Sequence, residues 1–237
     1  MSGLRLLALG AALLATPVGL AAQTIKSPYR FIDTKQDVGP YIAYIFADGG
    51  SVDLGANSGP VFGLQFAIRV SDPIQISANA AYFPTTRDVQ DPSTGGPSTI
   101  TVGTEDFNLL LLSGRLQFNL TGARTWNRLA PYLIGGLGIA IDVTGDINCL
   151  TEPERATCQI SPAERFDFGT SFMGQIGIGT AIIVSDRIGA RVTFEDNIWK
   201  LSTPEGWFFS GNNLDPFPSD TDWTNNLQLT LVLSYWF

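Results

Sequence analysis

Five charged side chains stand where two-residue alternation turns them toward one shared interior: Arg69, Arg115, Asp142, Arg191 and Glu195. Arg69 shares its face with Gly63, Gln65 and Ala67, Arg115 with Ser113, Gln117 and Asn119, and Arg191 and Glu195 with Gly189 and Thr193. Asp142 takes the same face near the outer rim of its segment. Such a set can do one of two things. Hydrated, it lines a pore and selects ions by charge; dry, it pairs internally and fills the space. In the narrow interior of eight strands the paired plug is the expectation.

The remaining chemistry is limited by what the chain contains. It has no histidine, which removes Ser-His triads, histidine zinc sites and histidine general bases. Lys and Arg number 14 against 22 Asp and Glu, so there is no basic footprint for nucleic acid. The two cysteines, Cys149 and Cys158, flank eight residues that include Pro153. In an exported, oxidising setting they are expected to form a disulfide that clips a loop, since two thiolates without histidine make a poor metal site. The glycines of Gly135-Gly136-Leu137-Gly138 lack the following helix and the Lys-Ser/Thr of a phosphate loop. No catalytic centre, metal or cofactor is expected.

These residues are positioned by strands. From Leu227 onward Leu227, Leu229, Leu231, Leu233, Tyr235 and Phe237 share one face, with Asn226, Gln228, Thr230 and Ser234 on the other. A strand that is greasy on one face and ends on an aromatic residue matches a transmembrane barrel, in which apolar residues face lipid and polar ones the lumen. The same alternation places strands at 61–70, 74–83, 110–120, 131–143, 172–184 and 188–199. An eighth, 39–46, is apolar on both faces, so its orientation stays open.

Residues 1–22 carry Arg5, an apolar run from Leu6 to Leu14 and small residues before Gln23, as a cleaved secretory signal does. Cleavage falls after Ala21 or Ala22, and 23–36 reads as a periplasmic tail without period. Connections alternate long and short. The long ones, 47–60, 84–106, 144–167 and 200–222, hold 15 acidic and 4 basic residues and face the cell exterior. In the last, Trp207, Phe208 and Phe209 could anchor an external partner, though a place in the outer aromatic girdle beside Trp199 and Trp223 is the first expectation.

The terminal L-x-L-x-L-x-Y-x-F pattern, the P-Y-L-I-G-G-L-G-I-A strand and the I-G-I-G-T-A-I-I-V-S-D-R-I-G-A-R hairpin resemble the eight-stranded outer-membrane barrels, the OmpA transmembrane domain among them. The resemblance spans residues 37–237. It implies an all-β, antiparallel up-and-down transmembrane barrel in a bacterial outer membrane, monomeric, surrounded by outer-membrane lipid and lipopolysaccharide. It also implies that the barrel-assembly machinery reads Leu231, Leu233, Tyr235 and Phe237. Small-barrel enzymes of this kind use histidine, so the resemblance favours a structural or surface-interaction role, with a small pore as the alternative. A soluble lipocalin-like barrel fits less well, because its apolar faces would point inward.

Overall fold

The structure is a computed structural model and describes residues 29–31, 34–92, 99–145, 155–209 and 219–237. Residues 1–22, and with them the expected signal, lie outside the described residues, as does Cys149.

Eight long strands close into a ring: β2 (Gln36–Phe46), β3 (Gly59–Arg69), β4 (Ile74–Asp91), β5 (Ile100–Asn119), β7 (Leu129–Asp142), β8 (Thr170–Ile183), β9 (Ile188–Ser202) and β10 (Thr221–Trp236). Each pairs antiparallel with the next, and β10 returns to β2, with Leu231 opposite Ile42. Just past the last β10 pair, the Phe237 N–H donates to the Gln36 carbonyl at 3.0 Å and Gln36 returns the bond at 3.2 Å. The ring therefore has no open edge to offer lipid, the condition for a sheet to span a bilayer.

Faces follow the alternation. Phe62, Leu64, Phe66 and Ile68 on β3 and Leu227 to Phe237 at odd positions on β10 are exposed on the outer wall, while Gln65, Asn226, Gln228 and Thr230 are buried inside. The first barrel strand, whose sequence left its faces open, turns Tyr41, Ala43 and Ile45 inward and Ile42, Tyr44 and Phe46 outward.

Turns keep to one end. Val70 N–H donates to the Ile74 carbonyl and Val184 N–H to that of Ile188, so each proline- or serine-based turn is tight. At the third, Asn127 and Arg128 both take left-handed φ (49° and 69°), and Trp126 pairs with Leu129. This is the twist-matched two-residue hairpin turn. It makes the expected plain connection at 121–130 a hairpin with its own strand, β6 (Arg124–Trp126), and β6 pairs with β1 (Tyr29–Phe31). Part of the tail expected to lack structure is thus strand.

At the opposite end β4 and β5 run well past their neighbours, so most of 84–106 is a protruding hairpin and not a loop. The Pro, Gly, Ser and Thr content that favours a loop there is compatible with the ladder, Pro84 included. Thr86 turns its carbonyl to the Asn57 N–H at 2.8 Å, away from β5, and Pro84 two residues earlier has the same orientation. Its missing N–H therefore lies beyond the last β3–β4 pair, Phe62 with Tyr82, and costs the β4–β5 ladder nothing.

Candidate functional site: the filled lumen and its outer cap

The interior has two halves. In the inner half polar side chains bond to each other across the ring, beside a small apolar cluster of Ala130, Tyr132, Ile134 and Ala181. Arg115 Nη2 lies 3.0 Å from Glu195 Oε1 and Arg115 Nε donates to Gln175 Oε1 at 3.0 Å. Gln175 donates to Asn197 (2.5 Å), Asn197 to Gln228 (2.8 Å) and Gln228 to Thr230 (2.7 Å), so the chain of bonds crosses from β5 through β8 and β9 to β10. Gln175 and Asn197 are direct cross-strand partners and Asn197 and Gln228 lie on neighbouring strands, whereas Arg115 reaches past β7 and across the lumen, and the last bond stays within β10. Nearer the inner mouth Arg191 pairs with Asp37 at 2.5 Å, and Gln75 donates to the same carboxylate at 2.7 Å. Asp37 was not among the expected charges, because it precedes the strand expected at 39–46, whose faces the sequence left unassigned, whereas β2 begins at Gln36.

The five expected charges therefore do not form one network. Arg115 with Glu195 and Arg191 with Asp37 are separate pairs. Arg69 lines a cavity of about 20 Å³ at the inner mouth with Asp37, Gln75 and Arg191. Asp142 lies at the far end, where it accepts from the Thr144 N–H (2.9 Å) and hydroxyl (2.5 Å). Its distance from the arginine pairs follows from strand length: it ends β7, whereas Arg115 pairs with Gly136, six residues lower.

The outer half is apolar. Ile45, Val61, Phe83, Leu109, Met173 and Trp199 point in from the wall, and three external connections each insert a residue: Leu54, Phe166 and Trp207. Trp199 and Trp207 are each 1% exposed. Both are corrections to the girdle expectation. Trp199 continues the inward parity of Arg191, Glu195 and Asn197, and Trp207 sits on a short helix, α2 (Gly206–Phe209), that dips into the barrel. Its indole N–H donates to the Glu164 carbonyl at 2.9 Å, and the Gly206 N–H to that of Ala163 at 2.9 Å. A Cβ at Gly206 would meet the Ala163 oxygen at 2.5 Å, so this docking of two loops needs glycine. Phe208 is half-buried, and the Phe209 side chain lies outside the described residues. Of the three tryptophans expected in the girdle, Trp223 alone is exposed on the outer wall, at 59%.

Above the plug, Arg87 on β4 and Glu105 on β5 are direct cross-strand partners and form an ion pair, with Thr157 of helix α1 (Arg155–Gln159) donating to the same carboxylate. The guanidinium lies 4.9 Å over the Phe166 ring and donates to the Phe166 carbonyl at 3.2 Å. Burial pulls the Arg87 guanidinium below its ordinary value, opposed by the Glu105 carboxylate beside it. This pair holds loop 143–169 onto the hairpin. The sequence hid it inside a presumed loop, and only the Arg87–Glu105 register would have exposed it. Cys158 lies on α1, half-buried.

A closed eight-strand antiparallel ring with an apolar outer wall, a packed interior, short turns at one end and long connections at the other defines the class: a small outer-membrane-type β-barrel. Comparison with solved structures gives the same fold. The outer membrane protein OprG of Pseudomonas aeruginosa is 13% identical with a TM-score of 0.54, covering 90% of this chain and 99% of that one. Neisserial surface protein A is 12% identical with a TM-score of 0.51, covering 85% and 97%. No protein-family model matches the chain, and no curated protein matches it.

Proposed function

We propose that this chain is an integral protein of a bacterial outer membrane, exported by a cleaved signal, whose barrel is sealed and whose role is structural or surface-interacting, without catalysis. The observation that carries the reading is the apolar plug of the outer half, to which three external connections contribute Leu54, Phe166 and Trp207. Water and ions need a polar path, and a close-packed apolar layer the width of the lumen offers none. The same plug anchors three external connections at Leu54, Phe166 and Trp207, so the lumen is closed at its outer end. Its surroundings are outer-membrane lipid and lipopolysaccharide, with the terminal strand read by the assembly machinery and the barrel acting as a monomer.

Planar-bilayer recording of the purified protein tests this directly, with the mobility shift between unboiled and boiled samples confirming that the barrel is folded. The expectation is a folded barrel with no reproducible unitary conductance. Steady channels whose ion preference follows Glu195→Gln would replace this reading with that of a small pore.

A further inference from the structure

At the inner mouth one cavity gathers donors and positive charge. Inward positions at the inner ends of four strands meet there: Asp37 on β2, Gln75 on β4, its cross-strand partner Gln117 on β5, and Arg191 on β9. Lys35, just ahead of β2, completes the lining and accepts from the Arg69 N–H at 2.7 Å through its carbonyl. Ala130 and Ala181, paired across β7 and β8, leave room that larger side chains would fill, and the cavity measures about 20 Å³. Arg191 is 3% exposed. Asp37 Oδ2 holds its Nη2, whereas Nε and Nη1 have no hydrogen-bond partner among the described residues. Those two nitrogens carry three hydrogens, against one acceptor of the pair in the same state, Asp37 Oδ1. Charge leans the same way. Asp37 is the one carboxylate among the lining residues, and even with Arg69 left out of the count Lys35 and Arg191 outnumber it.

We propose that this cavity binds a single halide-sized anion, chloride being the common one, held by the Nε and Nη1 hydrogens of Arg191. Buried donors bear their desolvation cost until an acceptor meets them, and a buried cation needs a counter-charge. A water accepts from Arg191 and donates to Asp37 Oδ1, but it brings no charge to a lining in which cations are in excess. An anion brings both acceptor and charge. Size sets the kind of anion: about 20 Å³ is room for one particle little larger than water, and sulfate or phosphate is too large for it. Asp37 of β2 and Arg191 of β9 flank the closing strand β10, so the ion strengthens the ring where its first and last strands meet. The site does not depend on the sealed-barrel reading given above.

The test uses the full folded barrel in detergent micelles, with urea unfolding followed in sodium chloride, bromide or gluconate at equal ionic strength, gluconate being too large for the cavity. At about 0.1 M salt the unfolding constant is expected to be about tenfold smaller in chloride or bromide than in gluconate, the linkage of a site with a Kd of about 10 mM. Arg191→Lys keeps a positive charge for Asp37 but has no Nε and Nη1 to offer, and it should remove the difference. Arg187→Gln, on the exposed turn outside the cavity, should keep it and so sets general screening aside. Crystals grown in bromide give an independent readout, an anomalous peak within hydrogen-bond distance of Arg191 Nε or Nη1, and this decides alone if Arg191→Lys does not fold. Equal stability of the wild type in chloride and gluconate, a halide effect that survives Arg191→Lys, or density at Arg191 without anomalous signal overturns the site.

Discussion

The inner and outer halves of the lumen are enclosed by the same eight strands, yet they are filled by opposite means. Inside, charges and amides pair with one another, as in Arg115 with Glu195, Arg191 with Asp37, and the Gln175–Asn197–Gln228 relay, though the Asn79 amide has no hydrogen-bond partner among the described residues. Outside, Trp199, Phe83 and Met173 pack with Trp207, Phe166 and Leu54 as in the core of a soluble domain. The difference teaches that a wall facing lipid does not dictate what it encloses. A polar interior must be paired side chain by side chain, because each unpaired group in it bears its full desolvation cost. An apolar interior needs only shape and volume, which loops can supply.

The largest effect is loss of both halves together. Deleting Leu227–Phe237 removes the β10 segment that meets β2, so no heat-modifiable species should survive on gels of membrane fractions, and a normal level would refute the closure. Next, the outer half should respond to volume alone: Trp199→Ala is expected to cost about 4 kcal/mol in urea unfolding, and a phenylalanine there much less. The inner half should respond to charge. Glu195→Gln keeps shape but leaves Arg115 without its ion partner, a cost of about 3 kcal/mol, with conductance unchanged. Because the two sites touch different clusters, the double variant should be additive within about 0.5 kcal/mol, and a larger coupling would mean the halves are one structure. A bridge between Cys149 and Cys158 belongs to the outer half alone. Reduction should lower stability by no more than about 3 kcal/mol, and free thiols found by alkylation of protein from intact envelopes would remove the bridge. Smallest is Trp223→Ala on the outer wall, expected under about 1 kcal/mol because nothing inside depends on it.

Much of the wall was legible in the sequence, because a period of two reports directly which face a residue takes. The alternating apolar residues of Phe62 to Ile68, Leu110 to Phe118 and Leu227 to Phe237 are outward by that rule alone, and they are exposed except Leu110 and Leu112, which are half-buried. The period says nothing about which inward residues meet. That depends on register between strands far apart in sequence, so Asp37 as the partner of Arg191 and the isolation of Asp142 could not be read. Aromatic identity misled at Trp199 and Trp207: tryptophan suits an interfacial girdle and a core equally, and only parity separates them. Counting the β9 alternation four residues past Glu195 turns Trp199 inward. Trp207 had no such signal, since its segment has no period to count.

The loop-built plug also sets an order of events. Leu54, Phe166 and Trp207 come from three different connections, Leu54 more than a hundred residues from the other two in sequence, and they meet only within a closed ring. The inner pairs Arg115–Glu195 and Arg191–Asp37 join strands that are not neighbours and form as the ring closes, but the outer packing must wait further, until every long connection has crossed the bilayer. Folding should therefore show two phases: early closure, reported by strand content, and a later, slower burial of Trp207, reported by its fluorescence. The last step of assembly is thus the one that shuts the molecule from the outside.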